Sequence, residues 1–189
     1  MKRLVLSFSL LLTLSLPLMF ISACDEVEEL VAFFVTVEPN DYNFTVDSTS
    51  TSPGKAEKVL FQTGVSFDLD SILEVHGVSS GMIGGCWFQR LAVAIDSPAV
   101  ATFNFVDSFR VTVSNDSLFS TETEVAQIVI VDPAVTIVEL NVYNLDVVAM
   151  MQGQKIWVRL YGALPVPLPY PAIYMHLSSR VKLRVEPLE

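Results

Sequence analysis

The chain has 189 residues, of which 51% are apolar and 17% charged, so it is sized for about one domain and is too apolar to remain disordered. Eleven basic residues against 21 acidic ones give a formal charge of −10, which repels phosphate backbones and argues against a nucleic-acid partner. Two cysteines, Cys24 and Cys86, are too few for a disulfide framework, and two separated histidines, His76 and His176, predict no metal site; no cofactor is expected either.

In chain order, the first feature is an export segment. Lys2 and Arg3 form a positive start, Leu4 to Ala23 carries no charge, and the small residues Ser22 and Ala23 precede Cys24. This is the layout of a signal peptide spanning residues 1–23. The tetrad Ile21-Ser22-Ala23-Cys24 resembles the lipobox of bacterial lipoproteins. The resemblance covers residues 1–24 only and implies that the Cys24 thiol carries diacylglycerol as the first residue of the mature chain. Two other readings of the segment are a signal peptide cut after Ala23 without lipidation and a retained membrane helix. Residues 24–29, with Asp25, Glu26, Glu28 and Glu29, then read as an acidic tether, or as a sorting tag of the kind found after lipidated cysteines.

From Leu30 to Glu189 the pattern is short runs of β-branched and aromatic residues, which predicts a single mainly-β domain. The expected strands are 31–37, 42–46, 59–61, 65–69, 87–95, 103–106, 109–113, 125–131, 135–142, 156–161, 172–177 and 180–186, with a polar loop over 47–58. Two short helices interrupt them. Leu69, Ile72, Leu73 and His76 fall at helical spacing, with Ser71 and Glu74 as a capping box and Gly77 as the stop. A second is expected over 145–152, between Asn144 and Gly153. The fold class predicted is an antiparallel β-sandwich of immunoglobulin-like character with two short helices. Trp87 and Trp157, each following a helix, are expected in its core. Acidic residues crowd 24–41 and basic ones 155–189, so strand 31–37 is expected beside 180–186, which would hold the basic strand near lipid headgroups.

Candidate chemistry is sparse. Gly77-Val78-Ser79-Ser80-Gly81 matches the G-x-S-x-G pattern of a nucleophile elbow, but that turn needs a strand before the serine and a helix after it. Cys86 would need a histidine brought close by folding, and a buried unreactive thiol is the ordinary case. Asp68, Asp70 and Glu74 lack the spacing of a calcium loop. His176, in an alternating run, is expected on an outer face with Tyr174. Two surfaces remain. Prolines at 165, 167, 169 and 171 make a stiff extended segment whose Leu164, Leu168 and Tyr170 are candidate contacts. Arg180, Lys182 and Arg184 share one face of the last strand and are candidates for anionic lipid or glycan.

The sequence thus predicts an exported protein anchored by lipid, on the periplasmic face or the cell surface, with a binding or structural role. Its expected partners are the membrane, through the N-terminal lipid, and an envelope protein or glycan. The alternatives are a hydrolase using Ser79 or Cys86, and an assembly module that pairs through an exposed edge strand.

Overall fold

Two antiparallel sheets pack face to face. The first contains strands β1 (Phe33–Val37), β2 (Tyr42–Asp47), β4 (Gly81–Ser97), β7 (Ile137–Glu139) and β10 (Ala172–Pro187). The second runs in the order β3 (Glu57–Ser66), β9 (Lys155–Ala163), β5 (Ser108–Ser114), β6 (Thr123–Val129), β8 (Asn141–Val142). This computed structural model describes residues 32–47, 57–130, 132–151, 154–164 and 167–188. The signal segment, Cys24 and the acidic tether therefore lie outside the described residues, as do Pro165 and most of the loop expected over 47–58. No helix among the described residues is long and apolar enough to cross a membrane.

The antiparallel β-sandwich expected from the sequence is present. Its strand order, β2-β10-β4-β7 facing β3-β9-β5-β6, refines the immunoglobulin-like expectation to that of a jelly roll. Alternation explains why the strands sit as they do. On β10, Ile173, Met175, Leu177, Val181, Leu183 and Val185 all point inward, and on β5 Phe109, Val111 and Val113 do the same. With Phe103, Phe105, Ile156, Leu160 and Val93, all of these except Val185 form one continuous core, and Val185 belongs to a smaller cluster beside it.

The edge of the first sheet is a single strand broken in two. β1 pairs with β10 from Phe33↔Val185 to Val37↔Val181, and β2 resumes on the same edge from Tyr42↔Leu177 to Asp47↔Ala172. The described part of the strand expected over 31–37, β1, therefore does lie beside 180–186, as the charge distribution suggested. Between the two halves, Glu38-Pro39-Asn40-Asp41 leaves the ladder opposite Ser178–Arg180, because proline cannot donate to it.

The first helix, α1 (Leu69–Val75), forms as expected and buries Leu69 and Leu73 against Val185. Its cap differs from the predicted one. Asp68, not Ser71, is the N-cap, accepting from Ser71 N at 3.1 Å and Ser71 Oγ at 2.7 Å, which holds the Asp68 carboxyl below its ordinary range. Gly77, at φ +68°, supplies the left-handed stop.

Several expectations are corrected. The second helix is only a turn of 3₁₀ helix at Val148–Met150. Asp146 Oδ1 accepts from both Val148 N (3.0 Å) and Cys86 N (2.9 Å), and Val147 N bonds Cys86 O (2.8 Å), so the segment is tied to β4 as well as to itself. Residues 103–106 form turns, not a strand, and still bury Phe103, Phe105 and Val106. The run 135–142 switches sheets: β7 joins the first, Leu140 N bonds Leu91 O at 2.9 Å, and β8 joins the second. Runs 59–61 and 65–69 are parts of one strand, β3, through its Ser66 end, and 172–177 and 180–186 are both parts of β10.

Trp87 and Trp157 are not core residues. Both point to outer faces and are half-buried: Trp87 lies 6.2 Å from Phe34, ring to ring, and Trp157 sits under Lys155 Nζ at 4.2 Å. Alternation decides it, because Cys86 and Phe88 take the inward positions around Trp87, and Ile156 and Val158 around Trp157. Phe109→Ala should accordingly destabilise the domain by about 3–5 kcal/mol, and Trp157→Ala by only about 1–2 kcal/mol. Denaturant midpoints check the ranking; equal losses would mean that Trp157 is packed as core.

Candidate functional site

Where the edge strand leaves β10, the outer face of the first sheet opens into a groove of about 530 Å³. Its floor is made of small side chains on adjacent strands, Ala92 and Ala94 of β4 beside Ser178 of β10. Arg90 and Arg180 stand directly opposite each other across the two strands. Like charges in that position repel, so each needs a counter-ion. Glu139 of β7 serves Arg90: its Oε1 accepts from Nε at 2.8 Å and Nη2 at 2.6 Å. Glu38, at the end of β1, serves Arg180 in the same way, through Oε1 at 2.7 Å from Nε and 2.6 Å from Nη2. Asn40 and Asp41 line the broken edge, and Ile137 lines the groove from β7.

His176 also lines the groove, and its Nδ1 lies 2.8 Å from Asp96 Oδ1. It is on the outer face with the exposed Tyr174, as its alternating run predicted. An Asp–His pair is the orienting half of a hydrolytic triad, but the third member is not in place. Ser178 Oγ, two residues along the same strand, donates to Ala92 O at 3.5 Å instead of to the ring.

The residues singled out by sequence are scattered rather than gathered. Arg180 is the one basic residue of the last strand that lines the groove. Lys182 Nζ lies over the Phe34 ring at 4.1 Å, and Arg184 Nη2 donates to Gly84 O (2.9 Å) and Glu186 Oε1 (2.7 Å). All three thus have partners within their own sheet. Leu164 is fully buried in the core, and the half-buried Leu168 and Tyr170 pack against it, so this stretch covers the sandwich instead of offering Leu164 to a ligand. The apolar character that made it conspicuous is spent on the core.

Ser79 follows α1 and precedes β4, the reverse of an elbow, and the adjacent His76 ring packs on Phe33 at 4.5 Å. Arg90, Glu38, Asp41 and Asn40 were missed by sequence reasoning. Only the turn-forming run Glu38-Pro39-Asn40-Asp41 hinted at a break, and nothing local joins it to Arg90 or His176.

The outer face of the second sheet carries a closed polar network. Arg159 pairs with Glu122 at 2.5 Å and packs under the Phe119 ring at 3.8 Å, while Tyr161 OH donates to Glu122 at 2.8 Å. Phe119, at φ +55°, accepts backbone strain to reach this position. Arg110 is bonded to Glu57 at 2.8 Å and stacks on Tyr161 at 4.1 Å. These groups satisfy one another and leave a sealed surface.

No family model matches the sequence, and no curated protein does. Among solved structures, the chain is similar to the VP2 subviral particle of infectious bursal disease virus, with 10% identity and a TM-score of 0.35 over 82% of this chain and 33% of that one. It therefore spans about a third of that relative's length. It also resembles structures of Desmodium yellow mottle tymovirus (15% identity, TM-score 0.31, 84% of this chain and 90% of that chain) and turnip yellow mosaic virus (13% identity, TM-score 0.25, 82% and 95%).

Cys86 is fully buried at the contact between β4 and the Asp146 turn. Burial foremost, and then the Asp146 charge, push its thiol from an ordinary 9.0 up to about 12. A raised acid pKa means that the native state holds the proton more tightly than the unfolded chain does. The stability this contributes is complete below the unfolded pKa near 9 and is lost as pH rises toward 12. Native Cys86 should therefore react with a thiol reagent at pH 8 on the order of 1,000-fold more slowly than the unfolded chain. Comparable rates would show that the thiol is open and nucleophilic. Cys86→Ala should flatten part of the alkaline fall in stability between those two pH values.

Proposed function

We propose that this protein is a lipid-anchored envelope protein that acts by binding at the membrane surface, not by catalysis. The observation that carries the binding role is the outer-face groove. Its two arginines are already paired and held in place, and no serine or cysteine among the described residues is hydrogen-bonded to His176. The hydrolase alternative is disfavoured by the same geometry, since Cys86 is buried and Ser79 lies outside the groove.

The anchor rests on the lipobox resemblance at Cys24. Eight residues separate Cys24 from Phe33, where β1 begins, a span of at most about 32 Å when extended. A tether that short would keep the sandwich beside its membrane. One acyl chain binds membranes marginally, at about 0.8 kcal/mol per buried CH₂, so stable anchorage implies two or more.

Intact mass spectrometry of the membrane-extracted protein tests this. The expected species begins at Cys24 and carries acyl mass; Cys24→Ala should be left unprocessed or released from the membrane. An unmodified Cys24 in a membrane-free protein would contradict the proposal.

A further inference from the structure

We infer that the break in the edge of the first sheet is a binding site for an uncharged, polyhydroxylated saccharide. The inference names a ligand class for the groove and rests on the binding role above, but not on the lipid anchor. At about 530 Å³ the groove is within the roughly 300–1,000 Å³ of small-ligand sites.

Charge balance excludes ions as the favoured ligand. The lining holds Glu38 and Asp41 against Arg90 and Arg180, so neither sign dominates. An incoming anion would have to compete with carboxylates already 2.6 Å from each guanidinium. A cation would meet the matching competition at Glu38, which Arg180 already holds.

A hydroxyl group meets no such competition, because it donates and accepts at once. The two ion pairs are built alike. In each, the Nε and Nη2 atoms of the arginine converge on one carboxylate oxygen, Oε1. Among the described residues, each guanidinium therefore retains its Nη1 donors and each carboxylate its Oε2 acceptor. A pair of neighbouring sugar hydroxyls matches one such donor–acceptor set, giving one proton to Oε2 and accepting one from Nη1.

Arg90 and Arg180 are cross-strand partners, so the two sets lie side by side at one end of the groove. From there the floor runs through the pair Ala92 and Ser178 to Ala94 beside His176, low enough for a ring to approach the sheet. His176 adds a third polar group, since its bond to Asp96 occupies Nδ1 and leaves Nε2 for a hydroxyl. The ion pairs also fix the long side chains before binding, which lowers the ordering cost.

The test is a titration of the lipidated protein in detergent, and of the Cys24→Ala chain, with methyl glycosides of glucose, galactose, mannose and N-acetylglucosamine. Glucuronic acid and inorganic phosphate serve as charged comparators. Backbone amide shifts are expected at Asn40, Asp41, Arg90, His176 and Ser178 with at least one neutral glycoside. Arg180→Met and Arg90→Met, with melting checked, should each weaken binding at least tenfold, whereas Arg184→Met, on the same strand outside the groove, should leave it unchanged. No shift with any neutral glycoside, tighter binding of phosphate or glucuronic acid, or full binding by a folded Arg180→Met variant would each overturn the inference. Because the Cys24→Ala chain carries no lipid, saccharide binding by it stands or falls apart from the anchor.

Discussion

Strand β10 must satisfy three other strands at once. It pairs with β4 along nearly its whole length on one side, and with β1 and then β2 on the other. Its inward residues, Ile173, Met175, Leu177, Val181, Leu183 and Val185, are at most 1% exposed, and burying each is worth roughly 1.5–3 kcal/mol. A slip of one residue would turn this whole set toward water, so the register is strongly fixed. β10 is therefore the rigid rail, and the edge strand is what yields. Tyr42 and Val37 both stay on their partners, and the four residues between them leave the ladder. The groove is the local consequence of that mismatch.

Much of this architecture was legible in the sequence, because period-two alternation is a local signal. The faces of 180–186 could be read residue by residue, with Arg180, Lys182 and Arg184 outside and Val181, Leu183 and Val185 inside. The pairing of the first strand with the last followed from charge. Glu38 and Arg180 do meet, although exposed pairs of this kind contribute only about 0–1 kcal/mol each. The charges are compatible with a register that the buried face sets.

What was not legible depended on distant partners. Helical spacing over 145–152 was overridden because Asp146 caps Cys86 N as well as its own turn, a link across sixty positions of sequence. The tryptophans were expected in the core because each follows a short helix, but cysteine and phenylalanine hold the inward positions beside Trp87. Leu164 opens a proline-rich segment but directly follows β9, whose inward alternation carries it into the core. The groove is drawn from four separate stretches, around residues 38–41, 90–94, 137 and 176–180, and no single stretch announces it. Small residues such as Ala92 and Ala94 carry no chemistry in sequence; they matter only as a floor that runs from the arginine pair toward His176.

The central physical claim is that one broken edge strand is docked on a rigid β10, with the break confined to 38–41. Amide hydrogen exchange along the whole chain tests it most directly, because protection follows local opening free energy. The account predicts that amides of β10 and β4 paired with each other exchange only on global unfolding. It also predicts that the ladder-bonded amides of β1 and β2 are protected, while those of Asn40 and Asp41 exchange early. Uniform protection from 33 through 47 would mean that the edge is continuous and the groove closed. Rapid exchange throughout β1 would mean that this strand is not held on β10.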